Sequence, residues 1–208
     1  MDTKSLAFNT MQTARELSQL PLRAKAWGLD TVLGRFVELG GASKSSAVTV
    51  CAGLVVEAQE RGGLATWIGG PGFGFFPPDF DASGIDLSAL PVVRVTDESK
   101  GWHVADTLLR SGAFALVVLD VGNRMKLPLG IQTRLVGLAK KHQTALVMIT
   151  RRERRDTAGG SLVSLRGETD RRRMGHDCFT CTVQIVKDKR RTPGWNHGEM
   201  YRGPDGLC

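Results

Sequence analysis

Arg35-Phe-Val-Glu-Leu39, an apolar strand-like run, leads into Gly40-Gly-Ala-Ser-Lys-Ser-Ser-Ala-Val48, and a helix-like run covers residues 46–61. A strand, a glycine-containing loop and a helix in this order form the setting of a phosphate-binding loop. In the working loop a lysine reaches the phosphate oxygens and the next hydroxyl binds magnesium. Those two positions are Ala47 and Val48 here, and their alkyl side chains can do neither. The stretch therefore predicts the nucleotide-binding unit of an α/β fold without its phosphate chemistry.

Strand-like and helix-like runs alternate through the middle of the chain. Strands are predicted at residues 64–68, 91–95, 114–120 and 144–150, and helices at residues 100–111 and 129–142. Residues 114–120 are apolar on both faces, which is typical of a central strand. This alternation predicts an α/β fold with a mainly parallel sheet flanked by helices.

The pattern changes after residue 150. Strands are predicted at 161–165, 178–187 and about 197–202, joined by turns, and we expect them to add antiparallel strands to the same sheet. The expected organisation is an N-terminal arm and short helix over residues 1–30, with a helix at 10–20, followed by one core over residues 31–208. The basic C-terminal part of that core is residues 151–208.

Positive charge is concentrated at the C-terminal end. The net charge is +7, and residues 151–208 carry 13 Lys and Arg against 8 Asp and Glu, whereas residues 1–150 carry 15 against 13. A basic segment on a nearly neutral domain favours a polyanionic partner such as nucleic acid. A solvated surface is the alternative. The first residues lack a secretion signal, and no apolar run reaches the roughly 20 residues of a membrane span, so we expect a cytoplasmic protein.

An arginine-rich loop follows the predicted strand at 144–150. Ligands of open α/β sheets bind beyond the carboxyl ends of the strands, and guanidinium groups suit phosphate. The loop contains no aromatic residue for base stacking, which argues against sequence-selective readout. Contact with DNA is predicted here, with protein docking or solubility as alternatives; the residues are Arg151, Arg152, Arg154 and Arg155, extended by Arg171, Arg172 and Arg173.

Two other segments permit opposite interpretations. Cys178 and Cys181 could form half of a zinc site with His176 and Cys208, but Cys181 also fits plain strand alternation, and we expect no metal. Gly72-Phe-Gly-Phe-Phe-Pro-Pro78 could fill the emptied phosphate cleft, or it could present an aromatic patch to a partner.

The order of these signals resembles the core of the bacterial RecA recombinases, over roughly residues 30–207. Besides the loop, the resemblance rests on Leu109-Arg-Ser-Gly-Ala113 before Leu116-Val-Val-Leu-Asp120, on Thr157-Ala-Gly-Gly160, and on Val186-Lys-Asp-Lys189. It implies that Asp120 corresponds to the acid of the family's second motif, although an aspartate at the end of a central strand could instead cap a turn or a helix. The vestigial nucleotide-binding positions are then Gly41, Lys44, Ser45, Ser46, Ala47 and Asp120.

Other departures from the RecA pattern concern hydrolysis. The family's catalytic glutamate position corresponds to Pro71, and its phosphate-sensing Asn-Gln pair corresponds to Thr150 and Arg151. Proline cannot activate the attacking water. The resemblance therefore implies a core without ATPase activity or cofactor, although Lys44 could still support weak nucleotide binding.

The closing stretch, Val186-Lys-Asp-Lys-Arg-Arg-Thr-Pro-Gly-Trp195, with Arg202-Gly-Pro-Asp-Gly206 after it, is similar to the ImuA group of RecA-like accessory proteins. The resemblance implies an adaptor in SOS mutagenesis and translesion synthesis. The implied partners are an ImuB-like Y-family polymerase homologue, an error-prone DnaE-type polymerase, RecA and single-stranded DNA. A regulator of RecA filaments or a residual nucleotide switch are the alternatives.

Three aromatic residues are candidates for partner binding. In the family an apolar residue before the core plugs the neighbouring subunit, and Phe8 could do so here or fold onto its own core. Trp195 and Tyr201 have the residue types favoured in interface hot spots. Trp195 could equally anchor the last strand.

Overall fold

The computed structural model describes residues 27–41, 45–120, 127–151, 160–175 and 178–202. The helices are α1 (Leu29–Val32), α2 (Ala47–Glu60), α3 (Pro77–Ala82), α4 (Glu98–Ser111) and α5 (Leu129–His142), with short 3-10 turns at Leu87–Ala89 and Gly160–Leu162. The strands are β1 (Phe36–Gly40), β2 (Leu64–Gly69), β3 (Val92–Arg94), β4 (Phe114–Asp120), β5 (Ala145–Ile149), β6 (Leu165–Arg173), β7 (Cys178–Asp188) and β8 (Asn196–Arg202).

All these strands belong to one sheet, in the order β3-β2-β4-β5-β1-β6-β7-β8. The strands from β1 to β6 run parallel to one another. β7 and β8 continue the sheet as antiparallel strands. The predicted α/β class is confirmed, and so is the addition of C-terminal antiparallel strands to the same sheet.

Helices cover both faces of the parallel part. On one face the buried residues of α2, such as Leu54 and Val55, pack against sheet residues that include Trp67. On the other face α4 and α5 contribute residues such as Leu109 and Leu135. β4 lies between β2 and β5 in the sheet, as its two apolar faces predict.

Local signals account for several element ends. Asp97 caps α4 by accepting a hydrogen bond from the Ser99 amide at 2.8 Å. The same helix ends at Gly112, whose φ of 67° is the left-handed conformation that glycine adopts without steric cost. α3 begins with proline, whose missing N–H is not needed in a first turn.

The strand predicted at 161–165 is wrong. Gly160–Leu162 is a 3-10 turn and the strand is Leu165–Arg173. The outer half of β6 is exposed, so charged residues occupy both of its faces and no alternation marks it as a strand. The other predicted strands and helices agree with the structure within about two residues, except for the helix at 10–20, which lies outside the described residues.

Candidate functional site

The carboxyl ends of β1, β4 and β5 lie at one edge of the sheet, because these strands are parallel neighbours. The chain leaves them at Gly41, Asp120 and Thr150 respectively. In open α/β sheets this edge forms the ligand cleft. The vestigial loop, the surviving acid and the start of the arginine-rich segment are therefore gathered in one place.

The two serine hydroxyls of the loop are engaged with β6. The Ser45 and Thr169 hydroxyl oxygens are 2.9 Å apart, and the Ser46 hydroxyl donates to the Asp170 carbonyl at 2.9 Å. The Ala47 amide, which opens α2, donates to the Ser45 hydroxyl at 3.2 Å. The Ser45 and Ser46 hydroxyls are thus already paired within the protein.

Gly41 and Ala47, at the two ends of the loop, are both tightly packed. A Cβ atom on Gly41 would lie 2.6 Å from the Thr169 carbonyl oxygen, so only glycine allows this approach. Ala47, at the position of the missing lysine, is 1% exposed and belongs to the core. Lys44 lies outside the described residues.

Asp120 is 1% exposed at the end of β4. Its Oδ2 accepts a hydrogen bond from the Gly74 amide at 2.9 Å. Its Oδ1 is buried and has no hydrogen-bond partner within the described residues. Burial raises the pKa of this carboxyl, and the Gly74 hydrogen bond and the Arg151 charge only partly offset that effect.

The phenylalanine segment covers this cleft. Phe73 and Phe75 pack against the core, with their rings stacked at 6.2 Å between centroids. The Phe73 ring comes within 2.2 Å of where a Cβ on Gly69 would lie, so this glycine admits the ring. These two side chains pack inside the molecule, whereas Phe76 is 58% exposed. The segment reaches Asp120 through the Gly74 backbone, and whether the rings fill the phosphate cleft stays a prediction.

The predicted DNA-binding arginines fall into two groups. Arg151 is exposed and donates to the Gly72 carbonyl, which joins the start of the basic segment to the phenylalanine segment. Arg152, Arg154 and Arg155 lie outside the described residues.

The second group, Arg171, Arg172 and Arg173, forms the exposed end of β6. Successive side chains of a strand point to opposite faces, so Arg172 projects away from the face that carries Arg171 and Arg173. The Arg171 guanidinium lies 5.3 Å from the centre of the Phe179 ring. The Arg173 Nε donates to the Gly175 carbonyl at 2.8 Å.

Cys178 and Cys181 both lie in β7, three residues apart, and therefore on opposite faces of the strand. Two thiols in this arrangement do not converge on one metal ion. Cys181 is buried in the core, as the strand alternation predicts. The described residues contain no group of three or more His, Cys, Asp or Glu side chains that could hold a metal.

Of the aromatic candidates, Trp195 is engaged within the molecule. It packs against the core, and its Nε1 donates to Asp188 at 3.3 Å, which fits the anchoring alternative. Tyr201 is partly exposed and donates to Glu199 at 2.6 Å. Phe8 lies outside the described residues.

Sequence reasoning missed the residues that occupy the loop. Thr169 and Asp170 approach Ser45 and Ser46 across 124 positions of sequence. No local pattern signals such a contact, because it depends on β6 pairing beside β1.

Fold and sequence comparison together define a RecA-like core. The protein RecA of Lactobacillus delbrueckii subsp. bulgaricus is 37% identical over 87 residues, which cover 42% of this chain and 26% of that protein. The RecA proteins of Fusobacterium nucleatum and Corynebacterium urealyticum are 30% and 31% identical over 135 and 128 residues, each match covering 56% of this chain. These matches span 35% and 34% of the two relatives, so each covers about a third of a RecA protein or less.

No model of a known protein family matches the chain. In the part of the chain that the structure describes, no helix has the length and apolar composition needed to cross a membrane.

Proposed function

We propose that this chain is a RecA-like adaptor of the DNA damage response that performs no ATP hydrolysis of its own. The observation that carries the proposal is the occupied phosphate loop, in which the Ser45 and Ser46 hydroxyls bond to β6. The lysine position is a buried alanine, Ala47. Among the described residues of this loop there is no cation to meet phosphate, and the Ser45 and Ser46 hydroxyls are already paired.

The DNA part of the proposal rests on charge and on the named relatives. The matched proteins are RecA proteins, and the C-terminal part of this chain is its most basic part. The adaptor would contact single-stranded DNA through Arg151 and the arginines that follow it, with Arg171, Arg172 and Arg173 extending the contact. Such binding is electrostatic and weakly dependent on sequence.

The partner part of the proposal is recruitment in translesion synthesis. The adaptor would bring an ImuB-like polymerase homologue and an error-prone DnaE-type polymerase to damaged DNA, in contact with RecA. The exposed Phe76 and the half-exposed Tyr201 are available for such contacts.

Affinity capture tests the recruitment role. The tagged chain is recovered from cells with and without DNA damage, after nuclease treatment, and its partners are identified by mass spectrometry. Recovery of an ImuB-like protein or an error-prone polymerase is expected. Recovery of RecA alone would favour a regulator of RecA filaments, and recovery of neither would remove the mutagenesis role.

The DNA role has its own test. Changing Arg151, Arg152, Arg154 and Arg155 together to alanine should weaken binding to oligo(dT) and reduce the slope of log K against log salt concentration. A control of equal charge removes four exposed cations outside the basic segment, Arg61, Arg110, Arg134 and Lys140, and should bind more tightly than the loop variant. Equal binding by the two variants would place the DNA surface elsewhere.

Asp120 supports a second candidate, a residual nucleotide switch. A buried carboxylate with one unpartnered oxygen is costly, and groups of this kind are concentrated at functional sites. This switch requires ATP or ADP to bind with magnesium, which isothermal titration calorimetry at millimolar nucleotide would detect. Binding that is lost in Asp120→Asn would support the switch, and no heat of binding would exclude it.

A further inference from the structure

A groove separate from the phosphate cleft lies between α2, α3 and the C-terminal strands. Its volume is about 620 Å³, within the range of sites that bind ligands or peptide side chains. Its walls include Gly53 and Val56 of α2, Asp79 of α3, and Tyr201 of β8. None of its lining residues belongs to the vestigial nucleotide-binding set.

The groove reaches the backbone edge of the outermost strand. Met200, Tyr201 and Arg202 are consecutive residues of β8, and all three line it. Consecutive side chains of a strand point to opposite faces, so a cavity touched by all three must extend along the edge of the strand. β8 is at the end of the sheet order, and within the described residues no strand pairs with its outer side.

Within the described residues, the edge of β8 has few of the features that block pairing. Edge strands are commonly blunted by proline, by lysine and other charged side chains, by a bulge or by short length, and of these β8 has the charged residues Glu199 and Arg202. β8 has seven residues, Asn-His-Gly-Glu-Met-Tyr-Arg, and pairs with β7 in an unbroken register. Its unpaired amides and carbonyls form a template for one more strand.

Two guanidinium groups supply positive charge on the strand side. Arg171 and Arg202 line the groove, and within the described residues neither side chain has a hydrogen bond or an ion pair. The register of β6, β7 and β8 places the Arg171 side chain on the sheet face that α2 covers and the Arg202 side chain on the opposite face. Arg171 is held over the Phe179 ring. The nearby Glu199 carboxylate accepts a hydrogen bond from Tyr201 at 2.6 Å, and the lining acid Asp79 belongs to the opposite wall, on α3.

The α2 side of the groove is mainly apolar. Gly53 is exposed in the middle of α2, where a side chain would project into the groove, and Ala52 and Val56 line the same wall. The nearest atom to a Cβ at position 53 would be the Tyr201 hydroxyl at 3.6 Å, an ordinary contact. Met200, at 40% exposure, adds an apolar side chain of β8 on the sheet face away from α2.

We propose that this groove docks an extended peptide of a partner protein. The peptide adds a strand to the edge of β8 and lays an apolar side chain against Ala52 and Val56. Its acidic side chains point to Arg171 on the sheet face that α2 covers and to Arg202 on the opposite face. The inference deepens the proposed adaptor function, because it assigns the chemistry by which one partner is held. A nucleic-acid strand fits less well, since it leaves the β8 backbone unpaired.

The test is a selection of 12-residue random peptides displayed on phage, with the full chain as bait. Enriched peptides should alternate apolar with other residues and contain Asp or Glu. Gly53→Leu places a large side chain in the groove. Leucine has a higher helix propensity than glycine, so the substitution favours α2 and the protein should stay folded. Binding of the enriched synthetic peptides should fall at least about tenfold in Gly53→Leu and stay unchanged in Gly137→Leu, the matched exposed glycine of α5.

Two further readouts report the mode of binding. Hydrogen exchange of β8 amides should slow at least about tenfold in the complex, as expected for strand addition. A repeat selection against the double variant Arg171→Gln, Arg202→Gln should no longer enrich acidic residues. Enrichment of acidic peptides that leave β8 exchange unchanged would overturn the strand-addition mode.

Other outcomes assign the groove to another occupant or to none. Loss of oligo(dT) binding in Gly53→Leu but not in Gly137→Leu would make it a nucleic-acid site. A self-association that sedimentation detects in the native chain and Gly53→Leu abolishes would make it a contact between two copies. A selection without enrichment, or peptides that bind Gly53→Leu as tightly as the native chain, would overturn the peptide site. The adaptor role is tested separately, by affinity capture and by the salt dependence of oligo(dT) binding.

Discussion

Replacing Arg35 with methionine should sharply lower the stability of this fold, because the buried Asp188 carboxylate would lose the cation that pairs with it. Arg35 Nη2 lies 2.6 Å from Asp188 Oδ1, and the two side chains are 2% and 0% exposed. Arg35 Nη2 also donates to the Ser164 carbonyl at 2.7 Å and its Nε to the Ser164 hydroxyl at 3.1 Å. The pair joins the residue before β1 to the end of β7 across 153 positions of sequence.

Removing one partner of a buried ion pair costs about 3–5 kcal/mol, because the other charge stays buried without compensation. A domain has only about 5–15 kcal/mol of total stability, so this loss is a large fraction of it. At this chain length each kcal/mol lowers the midpoint of thermal unfolding by about 2–4 °C. We therefore expect the melting temperature of Arg35→Met to fall by about 10 °C or more.

The loss should depend on pH in a defined direction. Burial acts to raise the pKa of Asp188, but hydrogen bonds from Arg35 and the Arg190 amide outweigh it and hold the pKa below its usual value. The native pair therefore contributes stability above about pH 4, and this contribution is lost as pH falls through the depressed pKa. In Arg35→Met burial acts without the cation, so the stability gap between native and variant should narrow below about pH 4.

Urea denaturation followed by tryptophan fluorescence at pH 7 and pH 3.5 measures both effects. Arg61→Met is the control, since it breaks a half-exposed ion pair with Asp30 and should shift the midpoint much less. Adding Asp188→Leu to Arg35→Met should recover part of the loss, because the stranded charge is removed. An Arg35→Met midpoint equal to that of Arg61→Met, or no recovery in the double variant, would refute the reasoning.

Three smaller changes test the packing and the cleft. Gly167→Ala should destabilise by about 1–3 kcal/mol, because its Cβ would lie 2.7 Å from Val183 Cγ1; calorimetry showing no loss would contradict this packing. Gly137→Ala, with open space around it, should instead raise stability by about 1 kcal/mol in the same assay. Asp120→Asn should raise the urea midpoint at pH 7, because burial raises the pKa of Asp120 in the folded protein and its ionised form therefore destabilises the fold. This increase in the midpoint should vanish below about pH 4, where the carboxyl is protonated in both the folded and the unfolded state. A lower midpoint of the variant at pH 7 would show instead that the fold stabilises the ionised carboxylate.

Local sequence patterns predicted most of the strands and helices. β4 is apolar on both faces and occupies the interior of the sheet, and the alternation of strands and helices predicts parallel pairing. β6 was not predicted at its true position, because its exposed end has arginines on both faces. The alternation of apolar and polar residues that marks a strand is therefore absent there.

The sequence predicted which residues lie at the candidate site, but it did not predict the contacts that these residues make. The alkyl side chains of Ala47 and Val48 can be recognised from the residues around them. The engagement of Ser45 with Thr169 could not, and neither could the position of the Gly74 amide on Asp120. Both depend on how distant segments come together in the folded chain.

The amino-acid sequence by itself determined the α/β class, the order of the elements, the basic C-terminal part and the alkyl residues Ala47 and Val48 at the end of the loop. These properties depend on residue type and on spacing within a few positions. Only the tertiary structure decided that the loop is occupied by β6, that Arg35 neutralises Asp188, and that a groove opens along the edge of β8. Such contacts join residues more than a hundred positions apart, and strand register and side-chain packing bring them together rather than any local signal.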